Sequence, residues 1–275
     1  MSKDFLSEIV AQKRKVVAVL RAQKTVAAWR DRALEEREYG ARHCLREALE
    51  ADSPMLKIIA EFKRMSPSRG VIRDDLSPID AARSYERGGA CAISILTDEE
   101  YFAGSINDLI AVRANTRLPI LQKDFIFDPI QIYEAASAGA DAVLLIAAIF
   151  DDLALEKMRT IAEDELGLDA LVEVHTSDEL RRARSAGAKL IGINSRDLRT
   201  FEVSLCTSER LVAEAPRDAV IISESGLRSA DQLRHLHALG FRGFLIGETL
   251  MQAGDPASAL RGIIEKFNRS QVASS

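Results

Sequence analysis

The stretch KIIAEFKRMSPSRG (Lys57–Gly70) contains a short apolar run that is followed at once by charged side chains and a loop of serine, proline and glycine. If the apolar run begins a β-strand, Glu61 and Lys63 point to the same face, because alternate residues of a strand share a face. Burying an acid and a base together is costly unless they satisfy each other or meet a ligand. The stretch therefore indicates either a structural ion pair at a strand end or part of a functional site.

Strand and helix signals alternate from this stretch to the end of the chain. The predicted strands are Lys57–Lys63, Cys91–Leu96, Ile120–Lys123, Ala142–Ala147, Ala170–Val174, Leu190–Asn194, Val220–Ser223 and Gly243–Gly247. The predicted helices between and after them are Pro78–Arg87, Ile106–Ala114, Pro129–Ala138, Leu153–Leu166, Asp178–Ala186, Thr207–Ala215, Ala230–Leu239 and Pro256–Phe267. Eight successive βα units predict an α/β fold, a closed (β/α)8 TIM barrel. A doubly wound open sheet is the main alternative, but the glycine-rich nucleotide turn typical of that fold is absent from the sequence.

The first 50 residues carry helical spacing and no strand signal. We expect one helix around residues 6–20, a second over about 26–39 and a third over about 42–49. The predicted organisation is an N-terminal helical extension over 1–50 and a catalytic barrel over 51–275, forming a single domain overall. The extension either caps one end of the core or covers a site, and the pattern favours neither.

The net charge, the cysteine content and the lengths of the apolar runs indicate what kind of protein this is. The chain has 275 residues, a formal net charge of −5 and three widely spaced cysteines, Cys44, Cys91 and Cys206. An odd number of isolated cysteines fits free thiols in a reducing compartment. No apolar run approaches the ~20 residues that a membrane span needs, and the N-terminus lacks a signal sequence. We therefore expect a cytoplasmic protein that binds neither nucleic acid nor membranes.

Polar side chains stand at the ends of several predicted strands. They are Glu61, Lys63, Lys123, Glu173, Asn194 and Glu224. In a barrel these ends meet on one face, which is where such enzymes place their chemistry. Two lysines and three glutamates at one mouth predict a catalytic site.

Glycine turns follow the seventh and eighth predicted strands, at Ser225-Gly226 and Gly247-Glu248. In a barrel, the corresponding loops cradle phosphate through backbone N–H groups, so Glu248 would contribute its backbone. The alternative is that both are ordinary tight turns. The long loop Arg64–Ser77 indicates either a mobile flap over the mouth or a plain surface loop. No paired Cys/His spacing indicates a metal, and we expect no cofactor.

Seven stretches together resemble the indole-3-glycerol phosphate synthase family. They are IIAEFKRMSPSRG (58–70), ISILTDEEYFAGS (93–105), LPILQKDFIFDPIQIYEAASAGADAVLLI (118–146), LVEVHTSDEL (171–180), IGINSRDLRTFEV (191–203), IISESGL (221–227) and FLIGETLM (244–251). The resemblance implies a carboxy-lyase of tryptophan biosynthesis. Its phosphosugar substrate would be 1-(2-carboxyphenylamino)-1-deoxyribulose 5-phosphate, and its products indole-3-glycerol phosphate, carbon dioxide and water.

The resemblance also implies roles for the polar residues. Lys123 would be the general acid at the substrate carbonyl, and Glu173 and Glu61 the acid/base carboxylates of the later steps. Lys63 would be a second acid and an anchor. Which of Glu61, Lys63 and Glu173 serves dehydration stays open. Asn194 would orient the substrate, and Glu224 would lie among the same groups.

The remaining implied site residues bind the substrate. The phosphate would lie at Ser225, Gly226, Gly247 and Glu248, polar groups near the substrate would be Ser66 and Arg196, and the aromatic ring would pack on Phe102, Phe125, Leu144 and Leu198. The chain departs from common family residues at Ser195, Thr249 and Met65, none of which belongs to the acid/base set. We expect a monomer, and contacts with other tryptophan-pathway enzymes are left open.

Two alternatives remain at this point. One is a Schiff-base aldolase on the same barrel, with Lys63 or Lys123 as the nucleophile. The other is a non-catalytic phosphosugar-binding barrel, which would need the phosphate turns but no lysine–glutamate cluster.

Overall fold

Eight parallel strands form a closed barrel, as the alternating pattern predicts. A computed structural model describes residues 5–53, 55–196 and 205–272. The strands are β1 (Ile58–Phe62), β2 (Ala92–Leu96), β3 (Ile120–Lys123), β4 (Ala142–Ile146), β5 (Asp169–Val174), β6 (Leu190–Asn194), β7 (Val220–Glu224) and β8 (Gly243–Ile246). Each strand pairs with the next along the chain, and β1 pairs with β8 to close the barrel. The predicted fold class is confirmed.

Helices surround the barrel and precede it. They are α1 (Phe5–Gln23), α2 (Val26–Arg37), α3 (Cys44–Glu50), α4 (Pro78–Gly88), α5 (Glu99–Phe102), α6 (Ile106–Arg113), α7 (Pro129–Ser137), α8 (Asp152–Thr160), α9 (Ser177–Ser185), α10 (Leu205–Glu214), α11 (Ala230–Leu239), α12 (Glu248–Met251) and α13 (Pro256–Val272). Local signals set their starts: the Ser77 side chain accepts from Asp80 N before α4, and Asp128 and Gln131 form a capping box at α7. The sequence did not reveal α5, α12 or a hairpin that pairs Met65–Ser66 with Gly70–Val71, because each is only one turn or two residues long.

The inside of the barrel changes character along its axis. Strand residues alternate between the interior and the layer under the helices. Ile59, Leu121 and Leu171 belong to an apolar cluster inside the barrel. One step towards the carboxyl ends, the inward positions become polar, as at Glu61 and Glu173, both of which are buried. The apolar side chains inside the barrel therefore lie directly beneath a layer of polar side chains at the mouth.

The N-terminal extension contacts both ends of the barrel. From α1, Ile9 joins the interior apolar cluster at the mouth, and Leu45 and Leu49 of α3 join it from below. A Cβ added at Gly243, the first residue of β8, would lie 3.0 Å from Leu49. The two expectations for the extension are thus both met, since it caps the bottom and covers the mouth.

A buried lysine fixes α1 to the barrel. Lys13 Nζ lies 3.1 Å from Asp98 Oδ2 and 2.7 Å from Asp124 Oδ1. Asp124 also accepts from the Thr97 hydroxyl at 2.5 Å, and Asp98 accepts from Tyr101 N at 2.8 Å. The carboxylates are therefore held by hydrogen bonds as well as by Lys13, which is what a buried ion pair requires.

Candidate active site

The mouth of the barrel opens into a cavity of about 520 Å³. Most of the residues proposed from the sequence line it: Glu61, Lys63, Ser66, Phe102, Lys123, Phe125, Leu144, Glu173, Asn194, Arg196, Ser225, Gly226, Gly247 and Glu248. Glu224 does not line the cavity and lies buried behind Lys123. Leu198 lies outside the described residues, so its predicted contact with the aromatic ring stays a prediction.

Lys123 lies between two carboxyl groups. Its Nζ is 3.4 Å from Glu173 Oε2 and also contacts Glu224 Oε2. The side chain of Lys123 is 13% exposed, whereas that of Glu224 has no exposure. Lys123 therefore faces the cavity while Glu224 supports it from beneath.

A glycine makes room for Glu224. A Cβ at Gly192 on β6 would lie 1.8 Å from Glu224 Oε1, which no real side chain tolerates. The same oxygen has no hydrogen-bond partner among the described residues. Any side chain at position 192 would expel the carboxyl group and with it the contact to Lys123.

The two carboxyl groups beside Lys123 differ in their tendency to ionise. Burial raises the pKa of Glu224 to about 8, and the charge of Glu173 adds to this while Lys123 opposes it. Burial also acts on Glu173, but the charges of Lys123 and His175 outweigh it, so the pKa of Glu173 lies below its usual value. Burial disfavours the charged form of Lys123, yet the surrounding glutamates raise its pKa. Near neutral pH the site thus holds a protonated lysine, an ionised Glu173 and a protonated Glu224.

Glu61 and Lys63 form the ion pair that strand alternation predicts. Lys63 Nζ lies 2.7 Å from Glu61 Oε1, and both groups line the cavity. The Tyr85 hydroxyl donates to the backbone oxygen of Glu61 at 3.0 Å and fixes the strand end. A Cβ at Gly247 would lie 2.5 Å from Glu61 Oε1, so this glycine gives the carboxylate its space. Glu61 and Lys63 neutralise each other and also face a cavity large enough for a ligand. The stretch Lys57–Gly70 therefore contains a structural ion pair that is also part of the candidate site.

Apolar side chains form one wall of the cavity. The rings of Phe102 and Phe125 lie 6.1 Å apart between centroids, and Leu144 lies in the same wall. Helix α1 adds Phe5 and Leu6, which sequence reasoning missed. Their helical spacing predicted an apolar stripe, but nothing local indicated which surface the stripe would cover.

The turns after β7 and β8 lie together on the other side. Ser225 and Gly226 have φ of 67° and 76°, a left-handed conformation that favours glycine. The Thr249 hydroxyl donates to Leu227 O at 3.1 Å and links the two turns. The side chain of Glu248 pairs with Arg69 of the hairpin at 3.1 Å. This contact joins the hairpin to the turns, and the expected contribution of the Glu248 backbone to phosphate binding stays a prediction.

Polar groups after β6 are held by short contacts. Asn194 Oδ1 accepts from Arg196 N at 3.0 Å. The Ser195 hydroxyl, one of the departures from common family residues, lies 2.5 Å from the Ser208 hydroxyl in α10. Ser195 therefore turns towards the helix layer, away from the cavity.

Sequence reasoning missed several other cavity residues. They are Ile9, Leu96, Asp124, Ile146, Leu227, Arg228, Leu245, Ile246, Thr249, Gln252 and Ala253. Most stand next to a residue that was proposed, so extending each strand end by one or two positions would have found them. Pro67, Ser68 and Arg69, which also line the cavity, belong to the loop for which the sequence left open a flap over the mouth or a plain surface loop. Among the residues that the structure describes, no group of histidine, cysteine, aspartate or glutamate side chains is arranged to hold a metal ion.

A (β/α)8 barrel with acid and base groups gathered at its C-terminal mouth belongs to the barrel enzymes. Comparison with known families gives the particular one. The model of the family described as indole-3-glycerol phosphate synthase matches residues 6–263, so the chain belongs to that family.

Relatives support the same assignment over nearly the full length. The indole-3-glycerol phosphate synthase of Carboxydothermus hydrogenoformans is 45% identical over 265 residues, covering 94% of this chain and 99% of the relative. That of Albidiferax ferrireducens is 45% identical over 260 residues, covering 94% and 97%. The expectation of a carboxy-lyase of tryptophan biosynthesis is confirmed.

Solved structures show the fold. The 3-hexulose-6-phosphate synthase from Salmonella typhimurium superimposes with a TM-score of 0.62 at 17% identity, covering 78% of this chain and 99% of that chain. The thiamine phosphate pyrophosphorylase from Pyrococcus furiosus gives a TM-score of 0.58 at 18% identity, covering 78% and 96%. Within residues 5–53, 55–196 and 205–272, no helix combines the length and apolar character needed to cross a membrane.

Proposed function

We propose that the cavity at the barrel mouth binds 1-(2-carboxyphenylamino)-1-deoxyribulose 5-phosphate and that the residues around Lys123 convert it to indole-3-glycerol phosphate. The observation that carries this proposal is the position of Lys123, which faces the cavity between one ionised and one protonated carboxyl group. Family membership supports the choice of substrate.

Ring closure requires an acid. The ring carbon that bears the carboxylate attacks the ribulose carbonyl carbon, and the carbonyl oxygen takes a proton as the new bond forms. Lys123 is that acid, because neighbouring carboxylates keep it protonated in the cavity. Loss of carbon dioxide then returns the electrons of the broken bond to the ring and restores its aromaticity.

Dehydration requires an acid and a base together. A hydroxyl leaves as water while the neighbouring carbon loses a proton, which forms the carbon–carbon double bond of the new five-membered ring of the indole. Glu173 is ionised and lines the cavity, so it suits the base. Glu61 and Lys63 form a second acid/base pair on the same mouth, and Lys63 supplies a proton to the leaving hydroxyl. Asn194 orients the substrate between them.

Glu224 has a different role from the other carboxyl groups. It is buried behind Lys123 and does not line the cavity. We assign Glu224 as a positioning residue. Its carboxyl group is protonated and uncharged, and it holds the side chain of Lys123 in place.

The two ends of the substrate lie on opposite sides of the barrel. The apolar wall of Phe102, Phe125 and Leu144 follows β2 to β4, while the glycine turns follow β7 and β8. Strand order places these two groups across the mouth from each other. The aromatic ring packs on the apolar wall, and the phosphate meets the backbone of the turns at Gly226 and Gly247.

Polar side chains complete the substrate contacts. Ser225 belongs to the first glycine turn, and Glu248 contributes its backbone from the second. Ser66 of the hairpin and Arg196 after β6 both line the cavity, where they contact the polar part of the substrate.

The aldolase alternative is less well supported. A Schiff-base lysine must be neutral to attack a carbonyl, whereas the carboxylates around Lys123 raise its pKa. Borohydride trapping with the substrate distinguishes the two, since only an aldolase leaves a covalent adduct on lysine. A binding-only barrel would give no product at all.

The decisive experiment combines an activity assay with a matched pair of variants. Purified protein is incubated with the substrate and indole fluorescence is followed at pH 7. Glu173→Gln removes a carboxylate and should lower kcat by roughly 10²–10⁴-fold. Glu224→Gln resembles the protonated carboxyl already present and should retain most of the activity. Equal losses in both variants would contradict the assignment of base and positioning residue, and absence of product from the unaltered protein would reject the function.

We further propose that the extension and the barrel form one domain and that the protein is a cytoplasmic monomer. The contacts of α1 and α3 with the barrel interior support a single domain, and the composition supports the location. Light scattering of the purified protein tests the oligomeric state. Contact with other tryptophan-pathway enzymes stays a prediction.

A further inference from the structure

A histidine links the candidate base Glu173 to a second glutamate outside the cavity. His175 Nε2 lies 3.4 Å from Glu173 Oε1, and His175 Nδ1 lies 3.2 Å from Glu179 Oε2 on α9. The backbone N–H of His175 donates to the same Glu179 oxygen at 2.7 Å. The side chain of His175 is 14% exposed, so this row of three side chains is mostly withdrawn from water.

Both ring nitrogens of His175 face carboxyl oxygens. An ionised carboxylate only accepts hydrogen bonds, so Nδ1 carries a proton towards Glu179. Nε2 is buried and makes no well-aligned hydrogen bond within the described part of the chain, although Glu173 Oε1 lies 3.4 Å away. Such contacts are often long in the absence of substrate and shorten in the complex.

We propose that His175, held by Glu179, is a positioning residue that directs the Glu173 carboxylate and keeps it ionised as the catalytic base. The inference rests on the proposed role of Glu173. In this arrangement Oε1 of Glu173 faces His175 and Oε2 faces Lys123. A cation therefore contacts each oxygen of the Glu173 carboxylate, and the two contacts together fix its orientation towards the substrate.

The charges around the pair favour the imidazolium. Burial disfavours the charged form of His175, but the hydrogen bond to Glu179 and the charges of Glu173 and Glu179 outweigh it and raise its pKa. Glu173 in turn meets Lys123 from β3, Glu224 from β7 and His175 from the turn just after its own strand, with Asn194 of β6 as a neutral partner. Lys123 contacts both Glu173 and Glu224, so its charge is divided between them. The contact of His175 is with Glu173.

Titration of His175 by NMR tests the coupling without reference to activity. The chain has four histidines, so a His175→Gln variant assigns the resonance. We expect the imidazole of His175 to titrate above pH 6.5 and to move down by about one pH unit in Glu179→Gln and in Glu173→Gln. The control Asp178→Asn removes an exposed carboxylate from the same turn of α9, where Asp178 pairs with Arg181, and should leave the titration unchanged. An unchanged His175 titration in Glu173→Gln would overturn the proposal.

The pH dependence of kcat/KM tests the consequence for catalysis. Loss of the imidazolium raises the pKa of Glu173, so the acid limb of the profile should move to higher pH by about one unit in His175→Gln and in Glu179→Gln. A uniform fall of kcat with an unmoved acid limb would mean that His175 is merely structural and would reject the inference. Full activity of Glu173→Gln would instead reject the role of Glu173 as base. The NMR titration would still test, independently of activity, whether His175 and Glu173 are coupled.

Discussion

Two buried lysines of this barrel each lie between two acidic side chains, and we assign them different roles. Lys13 lies between Asp98 and Asp124, and Lys123 lies between Glu173 and Glu224. In both cases neighbouring carboxylates overcome burial and raise the lysine pKa. Lys13 nevertheless holds helix α1, while Lys123 faces the cavity that we propose as the active site.

The difference lies in what else the carboxyl groups contact. Asp124 accepts from Phe125 N at 2.7 Å and from Thr97, and Asp98 caps α5. Glu224, by contrast, leaves Oε1 without a partner among the described residues. Burial of a carboxyl oxygen without a partner disfavours the charged form, which agrees with the raised pKa of Glu224. We therefore propose that the hydrogen bonds around each ion pair, and not the ion pair itself, distinguish the structural Lys13 from Lys123, the candidate catalytic lysine.

The largest expected effect is on turnover. Lys123→Met should lower kcat by roughly 10³-fold, because a general acid contributes about 10²–10⁴-fold to such steps. Lys13→Met should keep most of its kcat, since Lys13 does not line the cavity. Both variants are assayed by indole fluorescence at a temperature where circular dichroism shows them folded. Similar losses of kcat in the two variants would remove the distinction between the lysines.

The next effect is on stability. Lys13→Met leaves Asp98 and Asp124 buried without a cation, and breaking a buried pair costs about 3–5 kcal/mol. The free energy of unfolding is measured by urea denaturation at pH 7. The matched control is Arg21→Met, which removes the second link of α1, a 2.7 Å ion pair with Asp128 in which the arginine is 50% exposed. An exposed pair contributes less than about 1 kcal/mol, so a loss for Arg21→Met as large as that for Lys13→Met would show that burial does not decide the energy.

The smallest effect concerns a third carboxyl group near Lys13. Burial raises the pKa of Glu134 to about 7, and the charge of Asp124 adds to this while Lys13 opposes it. The folded protein therefore retains a proton that the unfolded chain has released, and stability falls as pH rises from about 4.5 to about 7. Glu134→Gln removes this fall and should be more stable than the unaltered protein by roughly 1–3 kcal/mol at pH 8, with little difference at pH 4.5. Urea denaturation at both pH values measures the difference, and equal stability at pH 8 would show that Glu134 ionises freely.

Most of the barrel could be predicted because its signals are local. Apolar runs, caps such as Ser77 and Asp128, and glycines before strands lie within a few residues of the elements that they define. The π-helical turn Ile161–Glu165 that continues α8 has no such signal, and the sequence predicted one uninterrupted helix there.

Contacts at the candidate site that follow from strand alternation could be predicted from the sequence. Contacts between segments that are distant in the chain could not. Alternation along β1 was enough to pair Glu61 with Lys63. The place of Gly192 could not be seen, because its missing Cβ matters only against Glu224 on the neighbouring strand. Likewise, nothing near Lys13 in the sequence indicated a partner, because Asp98 and Asp124, which pair with it, lie about 85 and 111 positions away.

The way in which the extension holds both ends of the barrel governs the order of assembly during synthesis. The first helices leave the ribosome before any of their partners exist, and Leu49 must wait for Gly243 near the far end of the chain. Such distant contacts form slowly, because the intervening chain must be ordered first. Closure of the barrel and completion of the cavity both require β8, the last strand to be synthesised, because Leu245 and Ile246 of that strand line the cavity.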